Sequence, residues 1–199
     1  VVLVPFGSQA VSPQNQIDKL VFAKQSETGF PPSELCSDAV FIRRVYFDVI
    51  GTLPTADEVR KFLSSRNPNK RSELIEELFE RPEFADYWTL KWGDLLRIKS
   101  EFTSNLWPNA VQAYQIWLRD AFRRNMPYDQ FARALLTASG SNFREAPANF
   151  YRPFQERTPR KMFDTVALIF MGVRLEKSGW TEDQLLGMDA FFAKVAYKK

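Results

Sequence analysis

The sequence predicts an all-α fold, a compact multi-helix domain of about eight helices with one long irregular loop near 137–158. Three observations predict it. Apolar residues recur at three- and four-residue spacing along most of the chain, and no convincing two-residue alternation follows the first few positions. Helix ends are marked by capping boxes, by prolines at first helical positions and by glycines at last ones. Hydrophobic residues make up 45% of the 199, enough for a core without disulfide or metal staples.

The elements follow in order. IDKLVFAK sets Ile17, Leu20 and Val21 on one stripe and stops at Gly29. FPPS is an extended connector, because neither proline fits a helix interior. Ser37 caps DAVFIRRVYFDVIG, where Phe41, Val45 and Val49 recur every four residues and Gly51 is the stop. Thr55 and Glu58 form a capping box over a short helix with Val59, Phe62 and Leu63 inward. NPNK breaks it, and RSELIEELFE follows with Leu74, Ile75, Leu78 and Phe79 facing in. Pro82 opens a helix with Phe84, Trp88, Trp92 and Leu95 on one face.

WPNAVQAYQIWLRDAFRRN turns Val111, Tyr114, Trp117, Leu118 and Ala121 inward, with Asn125 at its C-terminal cap. Pro127 starts a helix through Phe131 and Leu135. After the irregular loop, Pro159 begins a helix through Phe163, Val166, Ala167 and Phe170. Thr181 and Gln184 box the last, which runs through Leu185, Met188, Phe192 and Val195. Residues 1–16 are expected as a tail or linker and 17–199 as a single helical domain. The chain opens on Val1 rather than Met, so a processed product or an excised piece of a longer chain is expected. No run approaches the ~20 apolar residues of a membrane helix, so no membrane insertion is expected.

Composition excludes several kinds of chemistry. With 27 basic and 24 acidic residues, the net charge of +3 is too balanced for a dedicated nucleic-acid binder. The chain has no His, which removes a Ser-His-Asp triad, a His base and a His-ligated zinc or haem from its own residues. Its one Cys, Cys36, makes neither an intrachain disulfide nor a two-thiol metal site, and is expected as a buried, inert thiol. No metal and no cofactor are expected on these grounds.

Four constellations remain. Arg44 and Asp48 stand four apart on one helical face, the spacing of a structural ion pair. Asp94 and Arg97, three apart, suit a surface pair. Glu83, Asp86 and Asp94 lie among Trp88 and Trp92, as acids and rings do around a cleaved glycosidic bond, although the Trp spacing is also that of a core. The loop SGSNFREAPANFYRP is richest in groups suited to a ligand. Asn142, Asn149, Tyr151 and Arg152, with Ser139 and Ser141, offer hydrogen bonds to a glycan or peptide.

The succession IDKLVFAK, FIRRVYFDVIGTLPTADEVRKFL, LIEELFERPEFADYWTLKWGDLLR, MPYDQFARALLTASGSNF and NFYRP resembles a bacterial family. It is the planctomycete-type cytochrome-associated domain family of unknown function, domain of unknown function family 1549. The likeness runs from about Ile17 to Val195, and RRVYFDVIGTLPTADEV is its most specific part. The resemblance implies an exported, extracytoplasmic multidomain protein with a second uncharacterised domain downstream and often a cytochrome c-like domain upstream. Many relatives carry a CxxCH haem-attachment motif between a GVRL-like helix end and a WT-like helix start. Here that place reads RLEKSGWTEDQ, so the chain is expected in a branch that lacks the motif.

The reading that results is a helical scaffold or binding module contacting polysaccharide or neighbouring domains of its own precursor. Two alternatives stand beside it. One is a glycan-active enzyme with an Asp/Glu acid–base pair. The other is an accessory subunit of an electron-transfer protein with haem on another domain.

Overall fold

The computed structural model describes residues 12–30, 34–99 and 108–196. These residues are helical with no strand among them, so the fold is all-α. The expected tail over 1–16 lies outside the described residues up to position 11. The helices are α1 (Gln16–Thr28), α2 (Asp38–Ile50), α3 (Ala56–Ser64), α4 (Lys70–Phe79), α5 (Pro82–Leu95), α6 (Pro108–Arg123), α7 (Tyr128–Thr137), α8 (Pro159–Val166) and α9 (Glu182–Asp189). They fall into two compact units, one within Val1–Asp48 and Thr52–Ile75, the other within Val49–Gly51 and Glu76–Lys199.

In the first unit, local signals set the helix ends. The Asn15 side chain accepts from the Asp18 amide at 2.9 Å and opens α1, and Gly29, at φ 74°, closes it. Thr55 and Glu58 form the complete capping box of α3. Ile42, Val45, Tyr46, Phe62 and Leu74 are buried. Phe41 stacks on Phe62 with centroids 5.9 Å apart, and the cations of Lys70 and Arg71 lie over Phe62 and Phe41. Both cations also hold Asp38, Lys70 at 2.7 Å and Arg71 through Nε at 2.9 Å and Nη2 at 2.7 Å.

These partners, Lys70 first and then Arg71, keep the Asp38 carboxyl below its ordinary value of 3.8. A carboxyl lowered by folding adds stability above its unfolded pKa and loses it as the pH falls through the folded one. Asp38→Asn is therefore expected to melt below the wild type at neutral pH. The gap should close only in strongly acidic solution, below about pH 3.8, in a calorimetric pH series. A gap that stays constant to the acid limit would show that the carboxylate charge contributes nothing.

In the second unit, α5 packs on α6, and α8 on α9. Tyr114, Leu118, Phe131, Leu135, Phe150 and Phe163 form the centre of one buried cluster, with Trp92 and Trp117 half-buried against it. The long helix expected from Pro159 widens into a π turn over Ala167–Met171 and ends at Gly172, φ 65°. The Tyr128 hydroxyl donates to the Phe170 carbonyl in that turn at 2.8 Å. The last expected helix is shorter than its apolar pattern, passing into a 3₁₀ turn over Ala190–Phe192.

Phe62 and Leu78 face inward as expected, but three other residues assigned inward do not. Leu63, Phe79 and Leu95 are exposed, while Phe62, Leu78 and Leu96 beside them are buried. Neighbours on a helix point about 100° apart, so a broad apolar stripe does not fix which of two adjacent residues meets the core. Ile17, Leu20 and Val21 are exposed although α1 forms as expected, and α1 buries none of its residues. Cys36 is half-buried rather than buried, and its carbonyl accepts from Arg71 at 2.7 Å.

Arg44 and Asp48 are both exposed on α2, and no ion pair joins them among the described residues. Asp94 and Arg97 are likewise exposed and unjoined. Water solvates such side chains well, and fixing two flexible ones costs about as much as the contact returns.

Candidate functional site

The stretch expected as irregular, 137–158, is built around a 3₁₀ helix over Ala146–Tyr151. Asn149 has no exposed surface, and its Nδ2 donates to the carbonyls of Asn142 and Ala146, each at 2.9 Å. The amides of Arg144 and Glu145 return to the Ser141 carbonyl at 3.1 and 2.7 Å. Phe150 anchors the turn from below, with ring contacts to Tyr151, Phe154 and Phe170 at 5.1, 5.5 and 5.7 Å.

This turn forms one wall of an open cleft of about 960 Å³. The C-terminal end of α7, the 138–142 loop and the segment Lys194–Ala196 form the rest. Three of the four residues expected at a ligand, Asn142, Tyr151 and Arg152, line it. Asn149 does not. It lies beneath the wall as a brace between two backbone carbonyls, so it supports the cleft without touching a ligand. Arg157 and Lys194, which the sequence did not single out, complete the lining with Ser139 and Ser141. Nothing in their local sequence marks them, since the cleft unites positions some forty residues apart.

The polar groups are positioned. Arg152 Nη2 donates to Asn142 Oδ1 at 2.6 Å, which fixes the guanidinium plane across the loop. The Tyr151 hydroxyl donates to the Leu136 carbonyl at 3.0 Å, satisfying one of the acceptors left open at the end of α7. Burial pushes the Tyr151 phenol up to about 12, so it remains a protonated donor at physiological pH. Arg152, Arg157 and Lys194 give the lining three cations, and no Asp or Glu is among the described lining residues.

A second cavity, of about 310 Å³, is apolar. Phe79, Phe84, Trp88, Trp92, Phe122 and Tyr128 are among its walls. The acids weighed for glycan cleavage do not enter it. Asp86 is held by Arg119, and Asp94 is exposed on α5. Trp88 is tied elsewhere, its Nε1 donating to the Val49 carbonyl at 3.1 Å.

RLEKSGWTEDQ forms a closed connection. Leu175–Lys177 is a 3₁₀ turn with Leu175 buried, and the Ser178 hydroxyl donates back to the Leu175 carbonyl at 2.7 Å. Trp180 then stacks on Phe163 at 5.5 Å, and Thr181 with Gln184 caps α9. A haem attached here would need thiols and an imidazole. The side chains present are a carboxylate, an ammonium and a hydroxyl, and stacked rings fill the packing position. These residues do not fit that group. Among the described residues, no cluster of three or more His, Cys, Asp or Glu could hold a metal.

The second unit is thus a helical frame that carries a polar, cation-lined cleft. The chain belongs to the family described as a protein of unknown function (DUF1549), PSCyt2, whose model matches residues 16–195. No curated protein and no solved structure matches the chain. Among the described residues no helix is long and apolar enough to cross a membrane.

Proposed function

We propose that this domain is a non-catalytic binding module of a larger exported bacterial protein, and that it holds polysaccharide in the cleft beside Asn142, Tyr151 and Arg152. The observation that carries the reading is the meeting of these residues in one open cleft of about 960 Å³. That volume lies at the upper end of the range for ligand sites, about 300–1,000 Å³. Hydroxyls, amides and guanidinium groups line it, which suits a ligand rich in hydroxyl groups. An extracytoplasmic setting rests on the likeness to exported relatives. Neighbouring domains of the same precursor are the second class of partner, and the exposed apolar cavity between α5 and α6 supports that.

Affinity electrophoresis of the 199-residue chain through gels containing neutral and acidic polysaccharides tests the reading. At least one polymer is expected to retard the wild type. Ser139→Trp puts a large ring on the exposed cleft loop and is expected to weaken that retardation at least tenfold without changing Tm. Equal mobility in every gel would refute the module.

A further inference from the structure

We infer that the ligand of the cleft is an anionic polysaccharide, one bearing carboxylates or sulfate esters along its chain; this rests on the binding-module reading above. The first ground is the sign of the lining. Arg152 and Arg157 from one loop and Lys194 from a later segment reach one cleft, and no Asp or Glu is among its described lining residues. Lys194 makes no ion pair among the described residues, and the chain as a whole carries a net charge of only +3. Walls of one sign focus the field inside a cleft and attract a counter-charge.

The second ground is the loop backbone. The amides of Ser139, Gly140, Ser141 and Asn142 donate to no group among the described residues, and all four residues line the cleft. Consecutive unbonded amides favour anionic oxygen. One effect opposes this. The C-terminal end of α7 faces the same space and carries about half a negative charge. Tyr151 already caps the Leu136 carbonyl there, and three full cations outweigh the remainder.

The apolar part of the lining decides between an acidic glycan and an acidic peptide. Among the described residues it is made mainly of Ala138, Ala148, Val195 and Ala196; Leu136 is half-buried and the Tyr151 ring buried, which leaves little apolar surface to anchor a peptide side chain. Recognition here runs through charge and hydrogen bonds repeated over an extended surface.

Biolayer interferometry of the 199-residue chain on matched polymers tests this. The pairs are polygalacturonate with its methyl-esterified form, and dextran sulfate with dextran; polyglutamate is the peptide control. Binding is expected to at least one acidic polysaccharide, at least tenfold tighter than to its neutral twin, and to weaken with added salt. The carboxylate and sulfate arms separate the two sources of charge. Reversing the two exposed cations, Arg157→Glu with Lys194→Glu, is expected to weaken binding at least tenfold, and Lys194→Glu alone, which breaks no bond among the described residues, is expected to weaken it with Tm unchanged. Equal binding to neutral and acidic polymers would overturn the inference and leave the module standing. Acidic binding that ignores the double variant would overturn it too, as attraction to the general surface. Polyglutamate bound as tightly as polygalacturonate would overturn the choice of polysaccharide. Binding to none of them overturns both readings.

Discussion

Asn149→Asp is expected to destabilise the protein by about 3–5 kcal/mol at neutral pH, and by less in acid. The side chain has no exposed surface, and its Nδ2 donates to the carbonyls of Asn142 and Ala146. The substitution keeps the shape, removes both donors and aims a carboxylate oxygen at two carbonyl oxygens. No bond or ion pair among the described residues brings a cation to it, because Arg152 binds the side chain of Asn142 instead. Burial without a partner raises the pKa of the new carboxyl in the folded state. A group raised by folding favours the fold below its unfolded pKa and loses that advantage as the pH climbs through the folded value. The deficit against wild type therefore grows from acid toward neutral pH.

Asn149→Ala provides the control. It too removes the donors, but it also removes Oδ1, which is buried without a hydrogen-bond partner. Its cost should be smaller, about 1–3 kcal/mol, and independent of pH. Denaturant titrations of both variants across a pH series read the difference. Equal costs, or a flat pH dependence for Asn149→Asp, would mean that water reaches the site.

Asn149 also shows where sequence reasoning stops. An Asn in a polar loop has the same local signature whether it faces a ligand or ties down its own backbone. Asn142, Tyr151 and Arg152 share that signature and do line the cleft. What separates the four is the 3₁₀ turn, which sends position 149 inward onto Phe150's side of the wall. Lys194 was illegible for another reason. It enters the cleft only because the last described segment comes back to the loop after α7, and pairing across such a distance leaves no trace in local pattern.

The helix boundaries were legible because their causes are local. Thr55 with Glu58 and Thr181 with Gln184 both form capping boxes, and Pro82 and Pro159 both stand at first helical positions. Asn125, assigned as a cap, adopts φ 47° just past α6. Which side of an apolar stripe meets the core depends on partners, and there Leu95 gives way to Leu96. The π turn at Ala167–Met171 falls in the same class, since nothing in VALIFMG distinguishes a widened turn from a regular one.

Gly51→Ala is expected to cost about 2–5 kcal/mol, and the reasons separate cleanly. Gly51 was legible as the stop of α2, and its φ of 71° lies where an L side chain is strained by about 1–2 kcal/mol. The larger part is steric. A Cβ here would lie within 2.8 Å of three carbons of the Tyr87 ring. That ring has little freedom, because it packs edge-on against Trp88 at 6.0 Å and lies under the Lys91 ammonium at 4.7 Å. Trp88 in turn is bonded to the Val49 carbonyl, so displacing Tyr87 disturbs the end of α2 itself. Overpacking of this kind costs about 1–3 kcal/mol. Gly172→Ala isolates the backbone part: its φ is 65°, and no atom of the described residues lies within 4 Å of the added carbon. It should cost only the strain. In a Tyr87→Ala background the Gly51 penalty should fall to that same value, a coupling measured by a double-mutant cycle in denaturant. If Gly51→Ala and Gly172→Ala cost the same in the wild-type background, the Tyr87 ring yields freely and the steric argument fails.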